Sequence, residues 1–217
     1  MVKIPNEVIF TILRILKKFN PGDTYYENYL WHLKKRGDKF FDIYHFAWSW
    51  VIEHHPANIF EIGTRTGLSL AQLLSAYLDY SCINKIVTCD LFNDGFISPN
   101  LVKMNLDYIG IPQDVINKIT FLTGDSKQTV VAYKQKHPDE KFDYVLVDGS
   151  HDKKDAAIDL ENVSSLVNKG GVIVFDDITP DGMNLIDVWH DFQKKHQNEF
   201  EWNENHAGKG CAWGIKT

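Results

Sequence analysis

The residues of this 217-residue chain best suited to chemistry are acids that close short apolar runs. Asp148 follows Val145-Leu146-Val147, and the pair Asp176-Asp177 follows Ile173-Val174-Phe175. If those two runs lie side by side, three carboxylates converge on one rim. Carboxylates crowded together repel and raise one another's pKa, so a cation is their natural partner. A donor set made only of oxygens suits Mg²⁺ or another hard divalent ion. Three residues past Asp148 stands His151, an imidazole able to take a proton near neutral pH. A hydroxyl beside a bound Lewis acid loses its proton more readily, so this set suits activation of a hydroxyl nucleophile. Two structural readings compete with it: His151 as the cap of the helix that starts near Lys153, and Asp177 as the entry cap before Pro180. None of the other histidines shows ligand spacing, and His206 is the reserve base.

A second group of polar residues sits earlier in the chain. Ile59-Phe60-Glu61-Ile62 runs into Gly63-Thr64-Arg65-Thr66-Gly67, after which a helical pattern begins. Glycines there let the backbone approach a ligand, and the helix start offers free N–H groups. A phosphate-binding loop needs Gly-Lys-Ser/Thr, but Leu68 and Ser69 follow Gly67. A dinucleotide fingerprint needs a glycine where Arg65 stands. What remains is an acid, a short glycine turn and a helix, which suits a cationic ligand without a pyrophosphate.

These residues need a scaffold that brings strand ends together. From Asn58 onward, β-branched runs alternate with helical patterns, the signature of a parallel sheet covered on both faces. The expected strands are Asn58 to Ile62, Lys85 to Asp90, Lys118 to Thr123, Phe142 to Asp148 and Gly171 to Asp176. Helices are expected near Leu68 to Tyr80, Pro99 to Ile109, Ser126 to Lys136, Lys153 to Val167 and Pro180 to Lys195. Ser98-Pro99 reads as a helix start and Gly170-Gly171 as a helix stop. Glu199 to Asn203 and Gly210 to Lys216 can pair as an antiparallel hairpin on the sheet edge. The fold class is therefore α/β, a doubly wound, mostly parallel seven-stranded sheet. Residues 1–57 read as a helical cap over the ligand-binding edge, within the same domain as 58–217. The cap's Tyr25, Tyr26, Tyr29, Trp31, Trp48 and Trp50 read as core more than as substrate platform.

Composition narrows the partners. A formal charge of -6 and a pI near 5.8 argue against a broad surface for nucleic-acid phosphates. Cys82, Cys89 and Cys211 lack zinc spacing and read as reduced, buried thiols. Ile9, Ile12, Leu13 and Leu16 fall at helical spacing, with Arg14 interrupting any leader-like run. No apolar run approaches the ~18 residues that span a bilayer. A cytoplasmic protein with a small-molecule partner and no membrane association is the expectation.

In order along the chain, Glu61-Ile62-Gly63-Thr64-Arg65-Thr66-Gly67, Asp90, and Gly124-Asp125-Ser126 resemble the donor motifs of the class I S-adenosylmethionine-dependent methyltransferases, which share a Rossmann-like fold. The resemblance covers roughly Asn58 to Asp177. It implies S-adenosylmethionine as cofactor, with Gly63 and Gly67 flanking its methionine moiety, Asp90 on the ribose hydroxyls and Asp125 at the adenine amine. The donor-binding set it implies is Glu61, Gly63, Thr64, Gly67, Asp90, Asp125, Ser126 and Asp148. With Val147-Asp148-Gly149-Ser150-His151 and Asp176-Asp177, the chain further resembles the metal-dependent small-molecule O-methyltransferases, of the catechol and macrolide-sugar type. That implies metal ligands Asp148, Asp176 and Asp177, His151 as base, and a hydroxyl acceptor such as a sugar, a glycosylated metabolite or a catechol-type diol. Ser150 stands where some sugar-methylating relatives carry a basic Asp. Two rival functions remain, a metal-free methyltransferase for nitrogen and a non-catalytic ligand-binding protein on the same fold.

Overall fold

The computed structural model describes residues 6–19, 25–36, 42–93 and 97–217, so part of the expected 1–57 cap, and the Tyr25 side chain, lie outside the described residues. Seven strands form one sheet in the order β3-β2-β1-β4-β5-β7-β6. They are β1 (Asn58–Ile62), β2 (Lys85–Asp90), β3 (Ile119–Thr123), β4 (Phe142–Val147), β5 (Val167–Asp176), β6 (Phe200–Asn205) and β7 (Cys211–Lys216). Neighbouring pairs from β3 across to β5 are parallel, and β7 runs antiparallel to both β5 and β6. This is the mostly parallel sheet with a C-terminal hairpin that the strand pattern predicts, and the Rossmann-like fold that the resemblance implies.

Apolar residues on both faces of the central strands are what a sheet covered on both sides requires. Ile59, Tyr144, Leu146, Val172 and Val174 join the core under α1 (Asn6–Phe19), α3 (Ile43–His54), α4 (Leu68–Ser75) and α5 (Pro99–Ile109). Phe60, Ile62, Val145, Val147, Ile173 and Phe175 join the opposite core, with α7 (Ser126–Lys136), α8 (Lys153–Ser164) and α9 (Ile186–Lys195). Two further helices are α2 (Tyr25–Arg36), within the expected helical cap, and the short α6 (Gln113–Ile116), which the sequence pattern does not announce. The amphipathic α1 buries Val8, Ile12, Ile15 and Leu16 in the same core as α3 and α4, so the N-terminal helices share the sheet's interior. Trp48 and Trp50 are buried there, whereas Trp31 is 52% exposed. Among the described residues no helix is long and apolar enough to cross a membrane.

Three helix boundaries differ from expectation. α8 stops at Ser164, because Val167 already pairs with Phe142. The register then jumps from Phe142↔Val167 to Tyr144↔Val172, and Gly170, at φ 76°, absorbs the extra residues. Gly170-Gly171 therefore marks a bulge inside β5 and not a helix stop. α4 ends at Ser75, and a separate 3₁₀ turn at Tyr80–Cys82 is capped by Asp79. α9 begins at Ile186 and not near Pro180, because the carbonyls of Asp177 and Thr179 draw residues 182–185 into a compact loop.

Candidate active site

In open sheets, ligands sit beyond the carboxyl ends of the strands where the order reverses. Here that point lies between β1 and β4, and a cavity of about 800 Å³ opens there. The turn after β1 forms its first wall. Gly63 sits at φ 94°, its N–H donates to Cys89 O at 2.9 Å, and a Cβ on it would stand 1.8 Å from Asp148 O. No other residue type fits that contact. Thr64 is buried, bonded through its hydroxyl to Thr88 and to Cys89 O. Gly67, at φ 87°, begins α4, and Asn105 Nδ2 holds the loop by donating to Thr66 O at 3.0 Å.

The donor-side acids divide into three environments. Glu61 lies behind the cavity wall, accepting from Ser69 Oγ at 2.5 Å and Thr88 Oγ1 at 2.9 Å. Burial, only partly offset by those bonds, pushes its carboxyl up to about 7. Asp90, at the end of β2, lines the cavity and accepts from Arg65 N at 2.6 Å, so one oxygen fixes the glycine turn. Asp125 and Ser126 also line the cavity. Asp125 caps α7 through Lys127 N at 2.9 Å and pairs with the Lys127 ammonium at 3.1 Å. Those bonds to Lys127 hold its carboxyl below the usual range. Gly67 and Glu61 do not face the cavity; Gly63, Thr64, Asp90, Asp125, Ser126 and Asp148 do.

The acid rim is a different electrostatic environment. Asp148, Asp176 and Asp177 all line the cavity, as expected from adjacent strand ends. Burial, and after it the charge of Asp177 on the first and of Asp148 and Asp177 on the second, raises the carboxyls of Asp148 and Asp176. Asp177, in left-handed backbone at φ 60°, behaves oppositely: burial favours its neutral form, but His151 and Lys209 outweigh that and lower it. His151 Nε2 stands 3.2 Å from Asp177 Oδ2, and Lys209 Nζ is 3.4 Å from Asp177 Oδ1. The Asp177 hydrogen bond raises the imidazole pKa. Neither capping alternative holds: Asp152 caps α8, and Leu185 occupies the cap position of α9. Ligand atoms of Asp148, His151 and Asp177 lie within 4.8 Å of one another. Asp176, expected as a third carboxylate ligand, is not part of that group, although it lines the same cavity and its Oδ1 is buried with no hydrogen-bond partner among the described residues. Converging carboxylates with an unpartnered oxygen fit a hard divalent cation.

Lys209 is the functional candidate the sequence does not reveal. It sits in the β6–β7 loop, which is locked to the segment after β5 by Thr179 N donating to Lys209 O at 2.9 Å and Thr179 Oγ1 donating to Gly208 O at 2.7 Å. The only local signal is its place between Gly208 and Gly210, both at positive φ. His206, the reserve base, lies outside the cavity near Glu204.

Comparison with known proteins places this geometry in a family. No curated protein matches the sequence. In fold, the chain is similar to an O-methyltransferase from Bacillus cereus solved with S-adenosylhomocysteine, with a TM-score of 0.63 at 15% identity, covering 100% of this chain and 94% of that one. It is similar to an O-methyltransferase from Streptomyces achromogenes involved in tomaymycin synthesis, solved with S-adenosylmethionine, with a TM-score of 0.64 at 16% identity, covering 100% and 92%. A putative caffeoyl-CoA O-methyltransferase from Staphylococcus aureus gives 0.60 at 17% identity over 80% and 82%. Residues 60–178, from β1 through the acid rim, match the family model described as a methyltransferase domain. With the glycine turn, Asp90 and the sheet in place around one cavity, the chain belongs to the methyltransferase-domain family of S-adenosylmethionine-dependent enzymes.

Proposed function

We propose that the chain is a divalent-metal-dependent O-methyltransferase acting on a hydroxyl of a small molecule: a sugar, a glycosylated metabolite or a catechol-type diol. The observation that carries this reading is the convergence of Asp148, His151 and Asp177, with Asp176 beside them, in the cavity lined by the donor motifs. The O-methyltransferases of similar fold support it. Asp148, Asp176 and Asp177 would hold Mg²⁺ or a related ion, which supplies Lewis acidity that eases deprotonation of a hydroxyl.

The protein's own groups do the rest. Asp90, Asp125 and the turn at Gly63 and Thr64 position the donor, Asp90 accepting from the ribose. His151 donates through Nε2 to Asp177, which leaves Nδ1 to take the acceptor's proton. Asp177 orients that ring and balances the imidazolium that results. The oxygen then attacks the sulfonium methyl as the carbon–sulfur bond breaks, and its electron pair stays on sulfur. Walls formed by Tyr44, Leu68 and Leu91 keep water from the reacting atoms.

A metal-free methyltransferase, for nitrogen acceptors, is a second reading, favoured by one observation: Lys209 already places a cation against Asp177. Turnover of an acceptor panel before and after rigorous chelation separates the two. Loss of activity with a chelator and recovery with Mg²⁺ or Mn²⁺ is expected. Full activity without metal would favour the Lys209 reading.

A further inference from the structure

Tyr29, His45 and Asp42 form a buried polar chain that the reading above leaves unused. His45 Nδ1 stands 2.8 Å from Asp42 Oδ1, and the Tyr29 hydroxyl 2.8 Å from His45 Nε2. The short contact to a carboxylate puts the ring proton on Nδ1, so Nε2 accepts and Tyr29 donates. Asp42 N–H also approaches Nδ1, at 3.2 Å, a longer contact that a protonated Nδ1 cannot accept. The Asp42 carboxylate is itself fixed, because it caps α3 by accepting from Tyr44 N at 3.0 Å and His45 N at 3.2 Å. The Tyr29 and His45 rings stack with centroids 5.6 Å apart.

This chain ends at the cavity. Tyr29, Asp42 and His45 are buried, yet Tyr29 and Asp42 line the same cavity as the glycine turn and the acid rim. Tyr44, which lines the cavity from the first turn of α3, ties the two regions together. Burial, and the charges of Asp42, Asp148 and Asp176, hold its phenol protonated. As a fastener between α2 and α3, an Asp–His–Tyr chain is inefficient, since apolar side chains of similar volume hold two helices as well or better. What the chain achieves is direction. It commits the phenol proton to His45 and turns the phenol oxygen into an acceptor.

We propose that Tyr29, oriented by His45 and Asp42, is a specificity-determining residue that accepts a hydrogen bond from a second hydroxyl of the methyl acceptor, remote from the one methylated. This rests on the methyl-transfer reading of the cavity. It makes the acceptor a polyhydroxylated small molecule, and an analogue with an ether or hydrogen at that position loses the contact. His45 and Asp42 are positioning residues that act through Tyr29.

The test titrates two parent probes, methyl glucopyranoside and 3,4-dihydroxybenzyl alcohol, into the full chain saturated with S-adenosylhomocysteine. Each is followed by its analogues lacking one hydroxyl. For at least one parent, removal of one particular hydroxyl should weaken binding about 10-fold. In Tyr29→Phe, with unchanged affinity for S-adenosylhomocysteine, that same removal should cost nothing further, which is the coupling a direct contact requires. His45→Gln should shrink the coupling, and it carries the test if Tyr29→Phe does not fold. A wall-forming role predicts equal losses across the series. Equal losses, or failure of both parents to bind, overturns the proposal. Coupling in binding without methyl transfer would overturn the reaction assigned to the cavity and leave the role of Tyr29 standing.

Discussion

The two halves of the cavity handle their acids in opposite ways. On the donor side, Glu61 is bonded by Ser69 and Thr88, Asp90 by Arg65 N, and Asp125 by Lys127. At the acid rim, Asp148 is raised by burial and by Asp177, Asp176 by burial and by Asp148 and Asp177, and Asp176 Oδ1 has no hydrogen-bond partner among the described residues. The donor side is built to be complete before a ligand arrives. The rim is built around charge that its own residues only partly balance. Preorganised donor contacts cost little on binding, whereas crowded carboxylates favour whatever cation enters.

The largest break in that contrast should come from neutralising the rim. Asp176→Asn or Asp148→Asn should drop acceptor turnover to background while donor affinity holds. Thermal midpoints should stay level or rise, because a buried like charge is removed. Retained turnover in both variants would erase the distinction between the halves. Next in size, His151→Ala should lower kcat by about 10² to 10⁴. Its melting midpoint should fall only by what the half-exposed contact to Asp177 contributes, because Asp152 caps α8 and Lys209 still faces Asp177; the paired measurement separates a lost base from a lost fold.

On the donor side, Asp90→Ala should weaken S-adenosylmethionine binding about 10- to 100-fold, since it removes both the proposed ribose acceptor and the partner of Arg65 N. Calorimetry on that variant checks the claim, and an unchanged affinity would show that the turn holds the donor without it. The effect on catalysis should be smallest at Glu61, whose variant reads out in stability. Its folded-state pKa, about 7, lies above the ordinary 4.5. The stability contributed by its protonated form is therefore complete below pH 4.5 and fades as pH rises through 7. Glu61→Gln should flatten the fall in stability between pH 5 and 8 by up to about 3 kcal/mol. Denaturant titrations of both proteins across that range provide the comparison, and identical slopes would place Glu61 in the unfolded-like range.

What the sequence made legible follows the same division. Strands and their terminal acids were readable because β-branched runs and strand-end acids are local patterns, and the glycine turn is contiguous. Glu61 was readable as a motif residue but not as a buried one, because its role depends on Ser69 and Thr88 reaching it from α4 and β2. Lys209 was invisible for a related reason. It meets Asp177 only because the β6–β7 loop is pinned to the segment after β5. Tyr29, His45 and Asp42 lie in a region whose aromatic residues read simply as core, and no spacing rule announces a chain between two helices. The Gly170-Gly171 pair misled, because a stop signal and a bulge use the same residue type.

Gly63 has a consequence for how this enzyme can change over generations. Its α-carbon abuts the Asp148 carbonyl so closely that no side chain fits between them. The glycine turn after β1 and the strand end that carries the first rim acid are thus a single mechanical part. A substitution that shifts one displaces the other, so mutations in the two segments should show strong epistasis. Redesign of acceptor preference has freer ground in the helices at the N-terminal side and in the β6–β7 loop, where a change need not disturb the donor.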